Sequence, residues 1–206
     1  MITRKKVAVT LSLFVLALPV QAAENERFEL VIGRSAVDGE GVNGAVIDTD
    51  ADAYAGRFMQ DFGNRGYFAG GLQLERVDLA DVDGGAWCVD AVARIHLTNG
   101  RVKAYLGGAL GGVFTDVEAV PVPVEISTDE GTLTGEGMAA DQSVGLRASI
   151  LSGLQFYFSS AQRVGVGVEY AYSKPLGDGF MVDTDQGGRI FLILPAFAAP
   201  TNGATP

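Results

Sequence analysis

Hydrophobic and polar residues alternate along the chain in eight segments, and this period of two predicts eight β-strands. The alternation is clearest in the predicted fourth strand, 86–98. There Trp87, Val89 and Ile95 share one face, and Asp90 and Arg94 lie on the other. The connections between the strands are alternately long and short. Because consecutive antiparallel strands run up and down, every second connection lies at the same end of the sheet. The rhythm therefore predicts an antiparallel meander whose two ends differ.

The Asn99-Gly100 connection predicts a tight hairpin between the fourth and fifth strands. Both residues tolerate positive φ, which is typical of a two-residue turn. Such a turn places Thr98 opposite Arg101. Continued along the two strands, the same register sets Arg94 opposite Tyr105.

Two further hairpins are predicted around five-residue connections. At 63–67 the alternation sets Phe62 opposite Phe68, and at 159–163 it sets Phe158 opposite Val164. In both hairpins the pairing keeps apolar residues opposite apolar residues. A shift of one residue would mix the two faces of a strand, so the hydrophobic pattern chooses the same register as the connection, as it does in the Asn99-Gly100 hairpin.

One face of the predicted strands carries charged residues and glycines, whereas the other face is apolar, with aromatic residues near the strand ends. The charged positions are Arg27, Glu29, Arg57, Asp61, Glu75, Asp90, Arg94, His96, Lys103, Arg147, Glu169 and Arg189. The aromatic positions are Tyr54, Trp87, Phe114, Tyr170 and Tyr172 at the end with long connections, and Phe28, Phe62, Phe68, Phe156 and Phe158 at the other. Two aromatic bands around an apolar surface are typical of a barrel in lipid. The fold class predicted is therefore all-β, an eight-stranded antiparallel up-and-down transmembrane β-barrel.

The N-terminus predicts an export signal. Arg4, Lys5 and Lys6 precede an apolar stretch, 7–20, that is too short to span a bilayer as a helix, and Ala22 ends a cleavage motif. We therefore divide the chain into a signal peptide at 1–22, a barrel domain at 23–198 and a short tail at 199–206. No other apolar run reaches ~18 residues, which excludes an ordinary helical membrane protein.

The charge of the chain excludes nucleic acid as a partner. The 206 residues include 15 Lys and Arg against 25 Asp and Glu. Three of the basic residues lie in the predicted signal, so the mature chain has 12 basic and 25 acidic residues and a net charge of −13. A strongly acidic chain repels a phosphate backbone. With Cys88 as its single cysteine, the chain also forms no internal disulfide.

The layout of the chain resembles the small eight-stranded outer-membrane barrels, a group that includes the OmpA membrane domain, OmpX and the neisserial opacity proteins. The resemblance covers 27–198 and rests on the signal, the Asn99-Gly100 turn, the alternating strands and the acidic segment 115–141. It implies a location in the bacterial outer membrane, with membrane lipid and lipopolysaccharide as partners, and a structural or surface-interaction role. No partner protein is specified. Phe197 resembles the terminal aromatic residue of this family, although Pro195 interrupts the predicted last strand, 188–198.

The predicted long connections are acidic. Segments 37–50, 79–85, 115–141 and 174–187 hold 16 of the 25 acidic residues and a single basic residue, Lys174. Pairs such as Asp183 and Asp185 have a spacing at which carboxylates can share a divalent cation, and the lipopolysaccharide surface is rich in such ions. Solvated surface acids explain the same pattern more simply. We therefore predict at most weak divalent-cation binding at these connections.

The sequence predicts no catalytic residue, no cofactor and no dedicated metal site. Some eight-stranded outer-membrane barrels modify lipid A with a His and a Ser. The single histidine, His96, lies at the end with short connections and has no Ser near it in the predicted register. Instead we predict an interior charge network of structural role, formed by Arg57, Asp61, Glu75, Asp90, Arg94, His96, Lys103, Arg147, Glu169 and Arg189.

Four functions remain open at this point. Eight strands enclose a space that side chains fill, which excludes a general porin. A structural or surface-interaction barrel fits the pattern best. A narrow ion-conducting pore and a soluble periplasmic β-barrel or sandwich that binds a ligand are the alternatives, and a lipid A-modifying enzyme is the least favoured.

Overall fold

The computed structural model describes residues 25–40, 46–62, 67–80, 84–128, 131–141, 144–158, 164–176 and 184–196. The predicted signal, the predicted tail and Phe197 lie outside these residues. The described chain forms strands β1 Glu26–Glu40, β2 Val46–Phe62, β3 Phe68–Leu79, β4 Gly84–His96, β5 Val102–Thr128, β6 Gly131–Asp141, β7 Val144–Tyr157, β8 Gly165–Leu176 and β9 Thr184–Pro195. Among these residues, no helix is long and apolar enough to cross a bilayer.

Eight of the strands close into an antiparallel barrel. Each strand pairs with its neighbours in the order β4-β3-β2-β1-β9-β8-β7-β5, and a further pairing between β4 and β5 closes the ring. The first and last strands of the chain therefore lie side by side, with Phe28 opposite Leu194 and Ile32 opposite Ile190. This confirms the predicted eight-stranded up-and-down β-barrel.

The ninth strand, β6, lies outside the ring. It pairs only with the far half of β5, from Thr128 opposite Gly131 to Val117 opposite Asp141. The prediction of a loop at 115–141 is therefore wrong, because this segment forms a β-hairpin that continues β5 beyond the barrel. The sequence signal was present in Val120, Val122 and Val124, β-branched residues at every second position, but the prolines between them obscured it.

The other predicted long connections are also shorter than expected. β1 continues to Glu40 and β2 begins at Val46, so the prediction of a loop at 37–50 is wrong for most of its length. Similarly, β8 continues to Leu176 and β9 begins at Thr184, within the predicted 174–187 connection. Ladder hydrogen bonds satisfy backbone groups wherever two strands can continue together, so the strands extend past the aromatic band. We call this end of the barrel the extended end and the opposite end the short-turn end.

The registers of two predicted hairpins are confirmed, and the third is wrong by two residues. Phe62 lies opposite Phe68, and the amide of Phe158 donates to the carbonyl of Val164 over 2.9 Å. In the β4–β5 hairpin, however, Arg94 lies opposite Gly107 rather than Tyr105. The shift by an even number leaves every side chain on its predicted face.

Thr98 explains why the β4–β5 connection is longer than two residues. Its hydroxyl donates to the carbonyl of Val102 over 3.1 Å and accepts from the amide of Ala104 at 2.8 Å. These bonds satisfy two backbone groups of β5 next to the turn. Gly100 has φ of +120°, so the positive φ expected of the turn occurs at this position, although the connection is longer than two residues.

The barrel exposes its apolar face and buries its charged face, which is the reverse of the arrangement in a soluble protein. Outward-facing aliphatic side chains are more than half exposed at Leu72, Val89, Ile150 and Ile190, with values of 63%, 58%, 68% and 60%. The charged face points into the lumen, where Glu29, Arg57 and Glu75 are fully buried. In β9 the inward positions include the apolar Phe191 and Ile193, and the strand ends at Pro195 rather than at 198.

Candidate functional site

The centre of the barrel lumen holds two arginines between two glutamates. Arg57 on β2 contacts Glu29 at 3.1 Å and Glu169 at 2.9 Å. Arg94 on β4 contacts the same two carboxylates, at 2.8 Å and 3.0 Å. All four side chains have no measurable exposure. This central cluster crosses the lumen and joins β1, β2, β4 and β8.

Neutral side chains add hydrogen bonds to the central cluster. The Tyr105 hydroxyl donates to Glu169 over 2.6 Å, and the Gln155 amide donates to Glu29 over 3.3 Å. The Arg94 guanidinium also lies over the Tyr105 ring, 4.4 Å from its centroid. Buried carboxylates and guanidinium groups are tolerated when their remaining donors and acceptors are paired. The cluster therefore forms a polar core rather than a solvated channel.

A second cluster lies at the short-turn end of the lumen. Asp61 contacts Arg27 and lies 3.6 Å from the Lys103 ammonium. Arg27 also contacts Glu29 at 3.1 Å, which links this cluster to the central one. His96 is buried here against Tyr105, with the two rings nearly perpendicular and 6.3 Å apart.

A third cluster lies toward the extended end. Arg147 contacts both Glu75 and Asp90, and its Nε donates to Asp90 over 3.1 Å. Arg189 contacts Glu75 at 2.8 Å. Gln73 joins this cluster to the centre, because its amide oxygen accepts from Arg57 at 2.7 Å and its amide nitrogen donates to Glu75 over 3.2 Å.

Asp185 belongs to the third cluster, although the sequence placed it among the solvated acids. It lies on β9 with 7% exposure and reaches Arg189 only at 3.8 Å. The expectation that the acids of segment 174–187 are solvated is therefore wrong for Asp185. Acidic residues in a predicted loop were expected to be solvated. Here β9 begins earlier than predicted, so the Asp185 side chain points into the lumen.

Glycines on the inward face make room for the clustered side chains. A Cβ on Gly153 would lie 2.6 Å from the Tyr105 hydroxyl, and a Cβ on Gly167 would lie 2.1 Å from the Phe191 ring. A Cβ on Gly111 would lie 2.6 Å from an oxygen of Asp90. The glycine-rich character of the charged face thus has a steric cause.

All ten residues of the predicted network lie on the inward face, in one of the three clusters. The prediction did not single out Gln73, Tyr105 or Asp185, each of which contacts members of that network, nor Gln155, which contacts Glu29. Gln73, Tyr105 and Gln155 lie on the charged face of the alternating pattern in their strands, so this pattern could have identified them. The pairing itself could not have been read from the sequence, because it depends on which strands face each other across the lumen.

The chemistry available in the lumen is limited. Six basic and six acidic side chains of the described lumen residues each contact at least one opposite charge. Within the described residues, no group of three or more His, Cys, Asp or Glu side chains could hold a metal ion. Cys88, at the edge of the third cluster, is buried. The arrangement is suited to cross-linking the strands.

The outer surface at the extended end carries its own ion pairs next to the aromatic band. Arg34 contacts Asp50 at 2.6 Å, with both side chains more than half exposed. Arg76 contacts Asp78 at 2.5 Å and lies over the Trp87 ring, 5.4 Å from its centroid. Arg76 on β3 lies between Tyr54 on β2 and Trp87 on β4. Trp87 in turn lies opposite Phe114 on β5. Charge and aromatic surface therefore meet at this end.

Comparison with known proteins gives structural neighbours only. No protein-family model matches the chain, and no curated protein matches it in sequence. The chain is similar to the crystal structure of Neisserial surface protein A, NspA, with a TM-score of 0.55 and 12% identity over 85% of this chain and 99% of that one.

Two further solved structures are less similar. Ail, the attachment invasion locus protein of Yersinia pestis, has a TM-score of 0.44 and 15% identity over 83% of this chain and 97% of its own. The outer membrane enzyme PagL has a TM-score of 0.45 and 15% identity over 80% and 99%. At these identities the likeness concerns the fold.

Proposed function

We propose that this chain, which has the fold of the small eight-stranded outer-membrane β-barrels, resides in the bacterial outer membrane as a structural or surface-interaction protein. In this proposal the lumen is a rigid polar core, and the extended end is the part that meets other molecules. The observation that carries it is the reversal of the two faces, with exposed aliphatic side chains outside and buried, paired charges inside.

The apolar outer surface of the barrel supports a location in membrane lipid. A soluble barrel or sandwich would bury its apolar face, whereas here Leu72, Val89, Ile150 and Ile190 point away from the protein. Phe62, Phe68 and Phe158 are at least half exposed near the short-turn end. Aromatic side chains at both ends of an apolar band fit the two lipid–water boundaries of a membrane. A soluble binding module is therefore disfavoured.

The ion pairs inside the lumen support a barrel without an open channel. An ion that crosses it must pass the central cluster, where Arg57 and Arg94 each contact two carboxylates without exposure to solvent. Opening a path requires these contacts to separate in a low-dielectric interior, which is costly. The narrow-pore alternative is disfavoured for this reason, and catalysis by His96 is disfavoured by its position at the short-turn end.

The extended end supports a surface role. In outer-membrane barrels the longer connections face the outside of the cell. Here that end carries most of the acidic residues of the chain and the β5–β6 hairpin. Lipopolysaccharide would border the exposed Arg34–Asp50 pair, and divalent cations would bind weakly to the acids.

Heat-dependent gel mobility tests the location and the closure together. Outer-membrane fractions are run on a detergent gel with and without boiling. We expect the unheated protein to migrate differently from the boiled one, because a closed barrel resists detergent. A protein found in the osmotic-shock fraction, with no difference on boiling, would refute the membrane assignment.

Cysteine labelling of intact cells tests the orientation. In a Cys88→Ser background, Ser127→Cys places a thiol on the β5–β6 hairpin, and Asn99→Cys places one at the short-turn end. A membrane-impermeant maleimide should label the first variant in intact cells and the second only after lysis. Equal labelling of both, or the reverse order, would contradict a surface role of the extended end.

Planar-bilayer recording tests the closed lumen. The purified barrel should give no regular conductance steps. Steps that change when Arg94 is replaced by Ala would favour the narrow-pore alternative instead.

A further inference from the structure

The β5–β6 hairpin has two outer strand edges without a neighbouring strand in the described part of the chain. β4 pairs with β5 only as far as Val117, and β6 pairs with β5 alone. The ladder between β5 and β6 runs without a shift from Val120 opposite Ala139 to Thr128 opposite Gly131. An unpaired strand edge presents backbone amides and carbonyls with which another strand can pair.

Two prolines determine which backbone groups of the hairpin face outward. Hydrogen-bonded and non-hydrogen-bonded pairs alternate along an antiparallel ladder. Pro121 and Pro123 have no amide hydrogen to donate to β6, so they occupy non-hydrogen-bonded positions, where the backbone groups point away from the paired strand. Glu125 and Ser127 follow at the same spacing. The outer edge of β5 therefore lacks the amide donors of two of these four residues.

The outer edge of β6 keeps all of its amide donors. The residues opposite those four, whose backbone groups also point away from the ladder, are Met138, Glu136, Thr134 and Thr132. The whole strand Gly131–Asp141 contains neither proline nor lysine, the residues that commonly protect an open strand edge. Four amides and four carbonyls therefore face outward from β6 over a length of about 20 Å.

The charge of this segment restricts the kind of strand that can add to the edge. Segment 115–141 contains seven acidic residues and no Lys or Arg. A second copy of the hairpin would bring the same charge to the edge, and like charges on neighbouring strands are destabilising. A segment that carries Lys or Arg would be attracted instead.

We propose that the outer edge of β6 binds an extended, Lys- or Arg-bearing segment of a partner protein, which adds to the hairpin as a further β-strand. Main-chain hydrogen bonds to Thr132, Thr134, Glu136 and Met138 provide the pairing, and the acidic segment favours a basic sequence. The prolines of β5 restrict the addition to β6. This inference deepens the proposed surface role and rests on it, because the partner reaches the hairpin only if the extended end faces the outside of the cell.

Amide hydrogen exchange of the purified barrel in phosphatidylcholine nanodiscs tests the proposal. The probe is the peptide Lys-Thr-Val-Lys-Val-Thr-Lys-Val-Thr. Its counterparts are the same peptide with every backbone amide methylated and a version with Glu in place of Lys. We expect the probe to slow exchange at Thr132, Thr134, Glu136 and Met138 at least tenfold, and both counterparts to bind at least tenfold more weakly. Equal binding of the methylated peptide would reduce the interaction to charge attraction and overturn the strand addition.

Two substitutions and a shortened barrel localise the added strand. Thr134→Pro removes an outward amide of β6 and should weaken probe binding at least tenfold, whereas Ser127→Pro removes an outward amide of β5 and should leave the affinity unchanged. Replacing residues 120–139 with a short Gly-Ser turn should abolish binding. Equal affinities of the two proline variants would refute the assignment to β6. A dimer in light scattering, with the same amides protected before peptide is added, would overturn the proposal in favour of a second copy.

The test separates this inference from the proposed function on which it rests. Because the barrels are purified, a negative result in the exchange experiment overturns the strand addition alone. Reversed cysteine labelling of intact cells would overturn the outward orientation of the extended end instead. If Thr134→Pro fails the gel-mobility test for closure, the three peptides on the unmodified barrel still decide.

Discussion

At the scale of single residues, the lumen is organised by carboxylates that each serve more than one cation. Glu169 accepts from Arg57, Arg94 and Tyr105, and Glu29 accepts from Arg27, Arg57 and Arg94. Removing one member of such a group leaves its partners buried with an unbalanced charge. Breaking a buried ion pair in this way is far more destabilising than breaking an exposed pair.

The first prediction concerns Glu169. Replacing it with Gln keeps the shape of the side chain but leaves Arg57 and Arg94 with one carboxylate between them. We expect the free energy of unfolding to fall by about 3–5 kcal/mol. The matched control, Asp50→Asn, breaks the exposed pair with Arg34 and should cost less than about 1 kcal/mol. Urea unfolding in lipid vesicles measures both, and equal losses would contradict the structural role of the central cluster.

The second prediction concerns the space left by Gly153. Gly153→Ala would place a Cβ 2.4 Å from the backbone oxygen of Val168 and 2.6 Å from the Tyr105 hydroxyl, which accordingly has to move away from Glu169, so we expect a loss of roughly 1–3 kcal/mol. In Gly112→Ala the nearest atom would be 3.9 Å away, and stability should change little. Thermal unfolding of the two variants gives the comparison. A Gly153→Ala barrel as stable as Gly112→Ala would show that Tyr105 and the neighbouring β8 backbone can move without a loss of stability.

At the scale of strands and hairpins, local turn chemistry and the final register can disagree. Asn99-Gly100 favours a two-residue turn, yet the Thr98 hydroxyl satisfies backbone groups of the neighbouring strand and allows a wider one. The β5 register is then also set by β7, where Leu110 lies opposite Ala148. A strand in a closed barrel pairs with a neighbour on each edge. Its register is therefore the one of lowest free energy for both pairings together, rather than the one that a single turn prefers.

The third prediction distinguishes the two registers of the β4–β5 hairpin. In a Cys88→Ser background, Ile95→Cys with Leu106→Cys should form a disulfide, because the two residues are directly opposite and their Cα atoms are about 5.5 Å apart. Ile95→Cys with Ala104→Cys, the pair of the two-residue turn, should remain reduced. Non-reducing mass spectrometry of the refolded barrels reports the outcome. A disulfide only in the second pair would establish the tighter turn.

At the scale of the whole molecule, closure depends on eight strands, and β6 is additional. The β4–β5 pairing ends at Val117 and the β5–β7 pairing ends at Phe114, so the ring is complete below the β5–β6 hairpin. Beyond this level, β6 pairs with β5 alone. The barrel and the hairpin should therefore be separable.

The fourth prediction tests this separation. Replacing residues 120–139 with a short Gly-Ser turn removes most of the hairpin and keeps every strand pair of the ring. We expect the shortened barrel to retain its heat-dependent gel mobility and its urea unfolding midpoint. A shortened barrel that unfolds or fails to close would show that the hairpin nucleates the ring.

The sequence by itself determined the number of ring strands, their antiparallel order and the face on which each side chain lies. These features follow from the period of two, which depends on the strand itself and survives a shift of register by two residues. For the same reason the ten network residues could be placed on the inward face, and Phe62 and Val164 in their hairpins, before any contact across the lumen was known.

Only the tertiary structure decided where the strands end, which charges meet and which acids are buried. Arg57 on β2 contacts Glu169 on β8, far apart in the chain, because the ring brings their strands to opposite walls of a narrow lumen. Asp185 is buried because β9 continues beside β1 and β8 beyond the aromatic band. Pairing on two edges at once sets strand length and register, and no local pattern contains that information.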